Sequence, residues 1–199
     1  MIKEYFMDYY MYESDVEIDL MDNSSKIYEN VSEPWKIILA NTGVNTNTTG
    51  RVKRIQKYIG NEPFMLTYGD GVSNVDIPAL IEFHKKQGTI ATVTAAKPAG
   101  RWGSIRIDDR SGRIADFREK EVEAEAWVNA GFAVLEPEFF DYLTDERQQL
   151  EVGPFAELTK KNQMSAYKHN GFWHPMDTMR DKAELETLWE SGEAPWKLW

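Results

Sequence analysis

The chain has 199 residues, 42% hydrophobic and 13% aromatic, enough apolar matter to bury one sizeable core and too much for a disordered polypeptide. Its net charge of −10 argues against non-specific binding to nucleic-acid polymers or acidic membrane surfaces, because the summed field repels polyanions. The absence of cysteine excludes disulfides and thiolate metal sites. No run reaches the ~20 apolar residues of a membrane span, and Lys3, Glu4 and Asp8 interrupt the opening aromatic stretch where a cleavable signal would be apolar, so the cytoplasm is the expected location.

In chain order, Ile2, Phe6 and Tyr9 recur at helical spacing and predict an amphipathic helix at the start. Strict alternation over residues 16–20 predicts a half-buried strand, a turn at 22–25 precedes a partner segment at 26–29, and residues 35–40 form a further strand candidate. An α/β chain normally opens on a strand, and here the first element is a helix. The Asn-, Thr- and Gly-rich stretch 41–50 is a loop by composition. It leads into a basic helix over 51–59, where Gly50 ahead of the first turn and Arg51 within it could receive an anion, or simply present a solvated basic face.

Residues 63–68 read as a buried strand that runs into Gly69-Asp70-Gly71. This places a carboxylate at a strand's carboxyl end, where ligands collect in open α/β sheets, with glycines leaving room for a cation and phosphate oxygens; the same three residues also make an ordinary turn. Asp76 and Pro78 open a helix in which His84 is a packing or surface residue. The β-branched run 89–95 reads as a central strand buried on both faces, reached by a strand–helix–strand connection.

Residues 104–108 and 113–120 form a hairpin ending in Glu119-Lys120, side chains that point to opposite faces unless the backbone bends. Asn129 and Gly131 interrupt the apolar strand 127–135. A polar group there needs a partner, either a ligand or a neighbouring loop. A short helix over 155–160, an edge strand over 164–168 and an aromatic turn lead to a last helix containing Ala183, Leu185, Leu188 and Trp189. Asp177 is a candidate N-cap of that helix, but Thr178 with Asp181 makes a capping box that leaves Asp177 outside it. Asp70 and Asp177 together could hold one Mg²⁺, with the Glu-Lys pair and Asn129 offering contacts to a phosphorylated, hydroxyl-rich ligand.

Tyr68-Gly69-Asp70-Gly71-Val72, Thr49-Gly50-Arg51-Val52-Lys53-Arg54, Gly100-Arg101-Trp102-Gly103, Phe117-Arg118-Glu119-Lys120, Asn129-Ala130-Gly131-Phe132 and the run from Gly171 through Met176-Asp177-Thr178 share order and spacing with one family, as does the closing Ala194-Pro195-Trp196-Lys197. The chain resembles the glucose-1-phosphate cytidylyltransferases, the cytidylyl branch of the sugar-phosphate nucleotidylyltransferases, over essentially its whole length. The resemblance implies an α/β fold with a Rossmann-like mixed sheet flanked by helices, in one domain spanning residues 1–199. It implies a reaction of CTP with α-D-glucose 1-phosphate that yields CDP-glucose and pyrophosphate for the dideoxy sugars of O-antigen and lipopolysaccharide.

By the same resemblance Asp70 and Asp177 bind the catalytic Mg²⁺, Lys120 binds the sugar phosphate and Glu119 the glucose hydroxyls. Tyr68, Gly69, Asn129 and Gly131 line the sugar pocket. Arg51 reaches the nucleotide, within the subunit or across a contact in an expected homo-oligomer. Two features depart from the family pattern. The family's opening strand, Gly-rich loop and Lys-bearing helix are not in this sequence, so the domain is expected to be incomplete at its N-terminus, and Glu121 stands where relatives place proline. An inactive sugar-phosphate-binding remnant is therefore the alternative. A metal-dependent glycosyltransferase built on Asp70 and Asp76 is a third reading, against which the Glu-Lys and Met-Asp-Thr motifs speak.

Overall fold

The computed structural model describes residues 2–30, 33–97, 104–107, 114–118 and 127–199. It contains two compact units, Met1–Asn41 and Thr42–Trp199.

In the first unit, helix α1 (Ile2–Tyr12) precedes the antiparallel pair β1 (Ser14–Asp19) and β2 (Ser24–Asn30). All three overlap the predicted spans, but β1 is not the half-buried strand expected: Ile18 is 66% exposed, Leu20 lies beyond its end, and β2 begins inside the expected turn. The strand expected over 35–40 does not form. Trp35 is 62% exposed and Ile38 50%, and the stretch meets no partner strand among the described residues, so its backbone takes no ladder. A β-branched run is a strand only when a neighbour supplies hydrogen bonds.

The second unit is built on a four-stranded mixed sheet in the order β3 (Phe64–Thr67), β8 (Val128–Leu135), β5 (Ala91–Ala96), β9 (Met164–His169). Strand β8 runs antiparallel to β3 and β5, and β9 runs parallel to β5, so β3, β5 and β9 share one direction. The expected strand–helix–strand connection from β3 through α3 (Ile77–Gln87) to β5 is present, with β8 inserted between the two strands. Every residue of β5 is buried, as its β-branched run predicts.

Alternation along β5 explains how both faces are covered. Ala91 and Val93 pack with Ala133, Leu135, Phe139, Phe140, Leu150 and Phe155 in the main core, to which Val52 of α2 (Thr48–Ile59) also belongs. Thr92 faces the other way and meets His84 of α3, whose Nδ1 lies 2.7 Å from the Thr92 hydroxyl while Nε2 lies 3.1 Å from Glu136. His84 is thus a buried packing residue. Strand β3, expected to be buried, is instead a sheet edge with Met65 44% exposed, because it pairs only with β8 among the described strands.

The remaining elements position the site. β4 (Gly71–Ser73) pairs antiparallel with β10 (Trp173–Pro175), and β6 (Ser104–Ile107) with β7 (Ile114–Arg118). A 3-10 turn (Pro137–Tyr142) and a π-turn (Glu151–Phe155) lead into α4 (Ala156–Lys160), and α5 (Met179–Glu190) closes the chain. Helix α2 begins two residues before Gly50, which is therefore inside it. A Cβ on Gly50 would stand 2.5 Å from Thr46 and 2.8 Å from the Glu146 carbonyl oxygen, so glycine here serves close packing and not a pre-helical anion loop. No described helix is long and apolar enough to cross a membrane.

Candidate functional site

The carboxyl ends of β3 and β5 and the amino end of β8 lie at one edge of the sheet, and three loops converge there. Tyr68 follows β3 directly, and its N–H donates to the Gly131 carbonyl at 2.9 Å. Gly131 has φ +80°, and a Cβ on it would stand 3.1 Å from the Tyr68 Cβ, so the Tyr68 ring rests on bare backbone. That conformation belongs to a bulge: Val93 pairs with Ala133 and Ala95 with Asn129, so more residues of β8 than of β5 lie between the two pairs. Asn129 is exposed here, not buried as the apolar run suggested, and its Oδ1 accepts from the Gly131 N–H at 3.0 Å. Its partner is thus the bulge itself.

Pairing of β4 with β10 brings the two candidate metal-binding segments side by side. Pro175 lies opposite Gly71, and the Met176 N–H donates to the Asp70 carbonyl at 2.7 Å, one residue before Asp177. The Trp173 indole N–H ties the same loop to Ala130 at 2.9 Å. Thr178 is the N-cap of α5 in a full capping box with Asp181, and Asp181 Oδ2 also accepts from the Asp177 N–H at 3.1 Å. The Asp177 side chain is therefore outside the helix and exposed, as is that of Asp70. Exposed carboxylates from adjoining segments are the hard oxygen donors that Mg²⁺ takes, so this donor set fits such an ion.

Behind the loop, His174, Asp181 and Glu184 bring ligand-capable atoms within 4.8 Å of one another. Each is already engaged. His174 Nδ1 lies 2.7 Å from the Pro175 carbonyl, which can only accept, so that nitrogen carries the proton, and Nε2 faces Glu184 at 3.4 Å. The hydrogen bond from Arg180, with a smaller contribution from His174, holds the Glu184 carboxyl below its usual range. The cluster braces the Asp177 loop.

Beside Asp70 lies a depression of about 450 Å³, lined by Thr48, Tyr68, Gly69, Asp70, Gln149 and Glu151. The Tyr68 hydroxyl donates to Glu151, and burial, then that hydrogen bond, push its ionisation well above the ordinary tyrosine range. Thr48, Gln149 and Glu151 were not among the sequence-derived candidates. Thr48 opens α2, Gln149 precedes the π-turn and Glu151 begins it, none with a periodic signal, and the two segments are joined by the Leu150 N–H donating to Thr48 Oγ1. Arg51 is exposed, bonded to Thr42 at 2.9 Å, and lines a neighbouring depression with Asn45, Thr46, Asn47, Thr48 and Arg147, so Thr48 borders both. The first turn of α2 is not an open anion site: the Thr48 N–H donates to Asn47 Oδ1 and the Thr49 N–H to the Gln148 carbonyl. Asp76, the other acid of the glycosyltransferase reading, is the N-cap of α3 and accepts from Ala79. Glu119, Lys120 and Glu121 lie outside the described residues.

The nucleotidyl transferase family profile matches residues 9–188. The chain belongs to the nucleotidyl transferase family. Within that family it is 43% identical over all 199 residues to the glucose-1-phosphate cytidylyltransferases of Salmonella typhimurium and Salmonella typhi, covering 77% of each relative's length. Among solved structures, a UDP-glucose pyrophosphorylase complexed with UDP-glucose superposes with a TM-score of 0.54 at 18% identity, over 76% of this chain and 64% of that one. At that identity the likeness speaks for the fold alone: a mixed α/β nucleotidyl transferase sheet.

Proposed function

We infer that this chain transfers a cytidylyl group from CTP to α-D-glucose 1-phosphate, on the Rossmann-like sheet of the nucleotide-diphospho-sugar transferases. The observation that carries the reading is the 43% identity along the entire chain to two glucose-1-phosphate cytidylyltransferases. A phosphate oxygen of the sugar phosphate forms a bond to the α-phosphorus of CTP as the α–β phosphoanhydride bond breaks, and pyrophosphate leaves. No protein nucleophile is required, so the work of the chain is alignment and charge neutralisation.

In this reading Asp70 and Asp177 hold Mg²⁺, which would supply positive charge to the phosphates. Lys120 meets the sugar phosphate and Glu119 the glucose hydroxyls. Tyr68, Gly69, Asn129 and Gly131 line the sugar pocket, and Arg51 serves the nucleotide, in a cytoplasmic homo-oligomer. The geometry supports this assignment through the meeting of the Asp70 and Asp177 segments and the contact of Tyr68 with Gly131. Incubation of the 199-residue chain with CTP, glucose 1-phosphate and Mg²⁺ is expected to yield CDP-glucose and pyrophosphate. Asp70→Asn and Asp177→Asn are each expected to lower kcat by about 100-fold or more. A folded wild-type chain that makes no CDP-glucose would overturn the reading.

A further inference from the structure

The depression beside Asp70 has a chemical character that the assignments above leave unused. Its described lining offers two carboxylates, Asp70 and Glu151, with the Thr48 hydroxyl and the Gln149 amide, and includes no Lys or Arg. Mg²⁺ on Asp70 would meet a phosphate there, but Glu151 has no such cation in the described lining and would repel that phosphate, whereas a neutral group rich in O–H donors would find an acceptor in it. Glu151 therefore suits a sugar ring better than the phosphates attached to it.

Glu151 is the best placed of these acceptors. It opens the π-turn, whose backbone is anchored on both sides. The Leu150 N–H donates to Thr48 Oγ1 at 3.0 Å, the Gly153 N–H to the Gln149 carbonyl at 3.1 Å and the Phe155 N–H to the Leu150 carbonyl at 2.9 Å. Leu150, Pro154 and Phe155 are buried beneath it. One carboxylate oxygen, Oε1, accepts from the Tyr68 hydroxyl, and the Tyr68 ring is backed by Gly131, so the carboxylate is aimed from two elements at once. π-Turns within helices recur at functional sites for this reason: they project a side chain that a regular helix would turn away.

We propose that Glu151 reads sugar hydroxyls, accepting hydrogen bonds from a vicinal pair of O–H groups on a bound sugar ring, with Tyr68 as the residue that positions it. The inference rests on the cytidylyl-transfer reading, which supplies two rings with such hydroxyls, the hexose of the sugar phosphate and the ribose of the nucleotide.

Calorimetric titration of the full chain with Mg²⁺ separates the sources. Wild type, Glu151→Gln and Tyr68→Phe are each titrated with glucose 1-phosphate and its monodeoxy analogues, and with CTP and its 2′- and 3′-deoxyribose analogues. Glu151→Gln is expected to weaken the hydroxylated ligand of one series by about tenfold, the scale of a hydrogen bond to a charged group. It should leave the matching deoxy analogue at its wild-type affinity, and the series that responds identifies the ring. Tyr68→Phe should weaken the same ligand about threefold, a fraction of that bond, and leave its deoxy analogue at the wild-type affinity. Equal binding by wild type and Glu151→Gln, or equal weakening of hydroxylated and deoxy ligands, overturns the proposal while cytidylyl transfer stands. Equal weakening of the hydroxylated and deoxy ligands by Tyr68→Phe overturns its positioning role. A folded wild type that binds neither series overturns both readings.

Discussion

At the scale of single residues, Gly131 and Tyr68 carry more of the site than their neighbours. The φ of +80° at Gly131 is a conformation that costs an L side chain about 1–2 kcal/mol, and a Cβ there would press on the Tyr68 ring. Gly131→Ala is expected to lower stability by about that amount in urea titration and to lower turnover by displacing the ring. Tyr68 makes a pH prediction. Its folded pKa is raised above the unfolded value of about 10, so the folded state holds this proton more tightly. The contribution is fully present below pH ~10 and declines as pH rises beyond it. The stability difference between wild type and Tyr68→Phe should therefore be flat up to about pH 10 and shrink above it, measured by chemical denaturation across pH. Asn129 shows what an apolar run leaves out. A polar residue there suggests a buried group, and this one is exposed, with its Oδ1 accepting from the amide two residues on.

Among elements, those with their own end signals were legible. Helix α3 has Asp76, Pro78 and Gly88 where a helix start and stop require them, and α5 has its capping box. Thr178→Ala should cost about 1 kcal/mol and loosen the backbone at Asp177, seen as a lower urea midpoint together with a weaker response of activity to Mg²⁺. Strand β5 was legible because a continuous run of small and β-branched residues suits a strand covered on both faces. Residues 35–40 have the same β-branched texture and form no strand, since pairing depends on a partner that composition does not reveal. Of the π-turn at Glu151–Phe155 only its last residue falls within the short helix expected over 155–160, because the extra residue per turn leaves no periodicity.

Across the whole molecule, apolar burial is uneven. The core runs through β5, β8, the 3-10 turn and the π-turn, whereas in Met1–Asn41 residues such as Ile2, Leu20 and Met21 are 71%, 89% and 99% exposed. Hydrogen exchange should find the slowest amides in β5, paired on both sides, and much faster exchange in α1, β1 and β2. Among the described strands, the open edge of β3 adds an unpaired ladder. A low thermal midpoint for this chain is therefore expected, and a single cooperative transition at high temperature would contradict it.

By itself the sequence determined the family, the capped starts of α3 and α5, the central strand and the Gly-Asp-Gly turn. Caps, alternation and turn residues act over a few positions, and motifs keep their order along the chain. The tertiary structure alone decided that β8 lies between β3 and β5, that Asp70 and Asp177 lie on adjoining segments, and that Tyr68 meets Glu151, a residue 83 positions away. Contacts between distant segments are selected by which packing buries the most apolar surface while satisfying backbone hydrogen bonds. That choice belongs to the whole chain and is written in no single stretch of it.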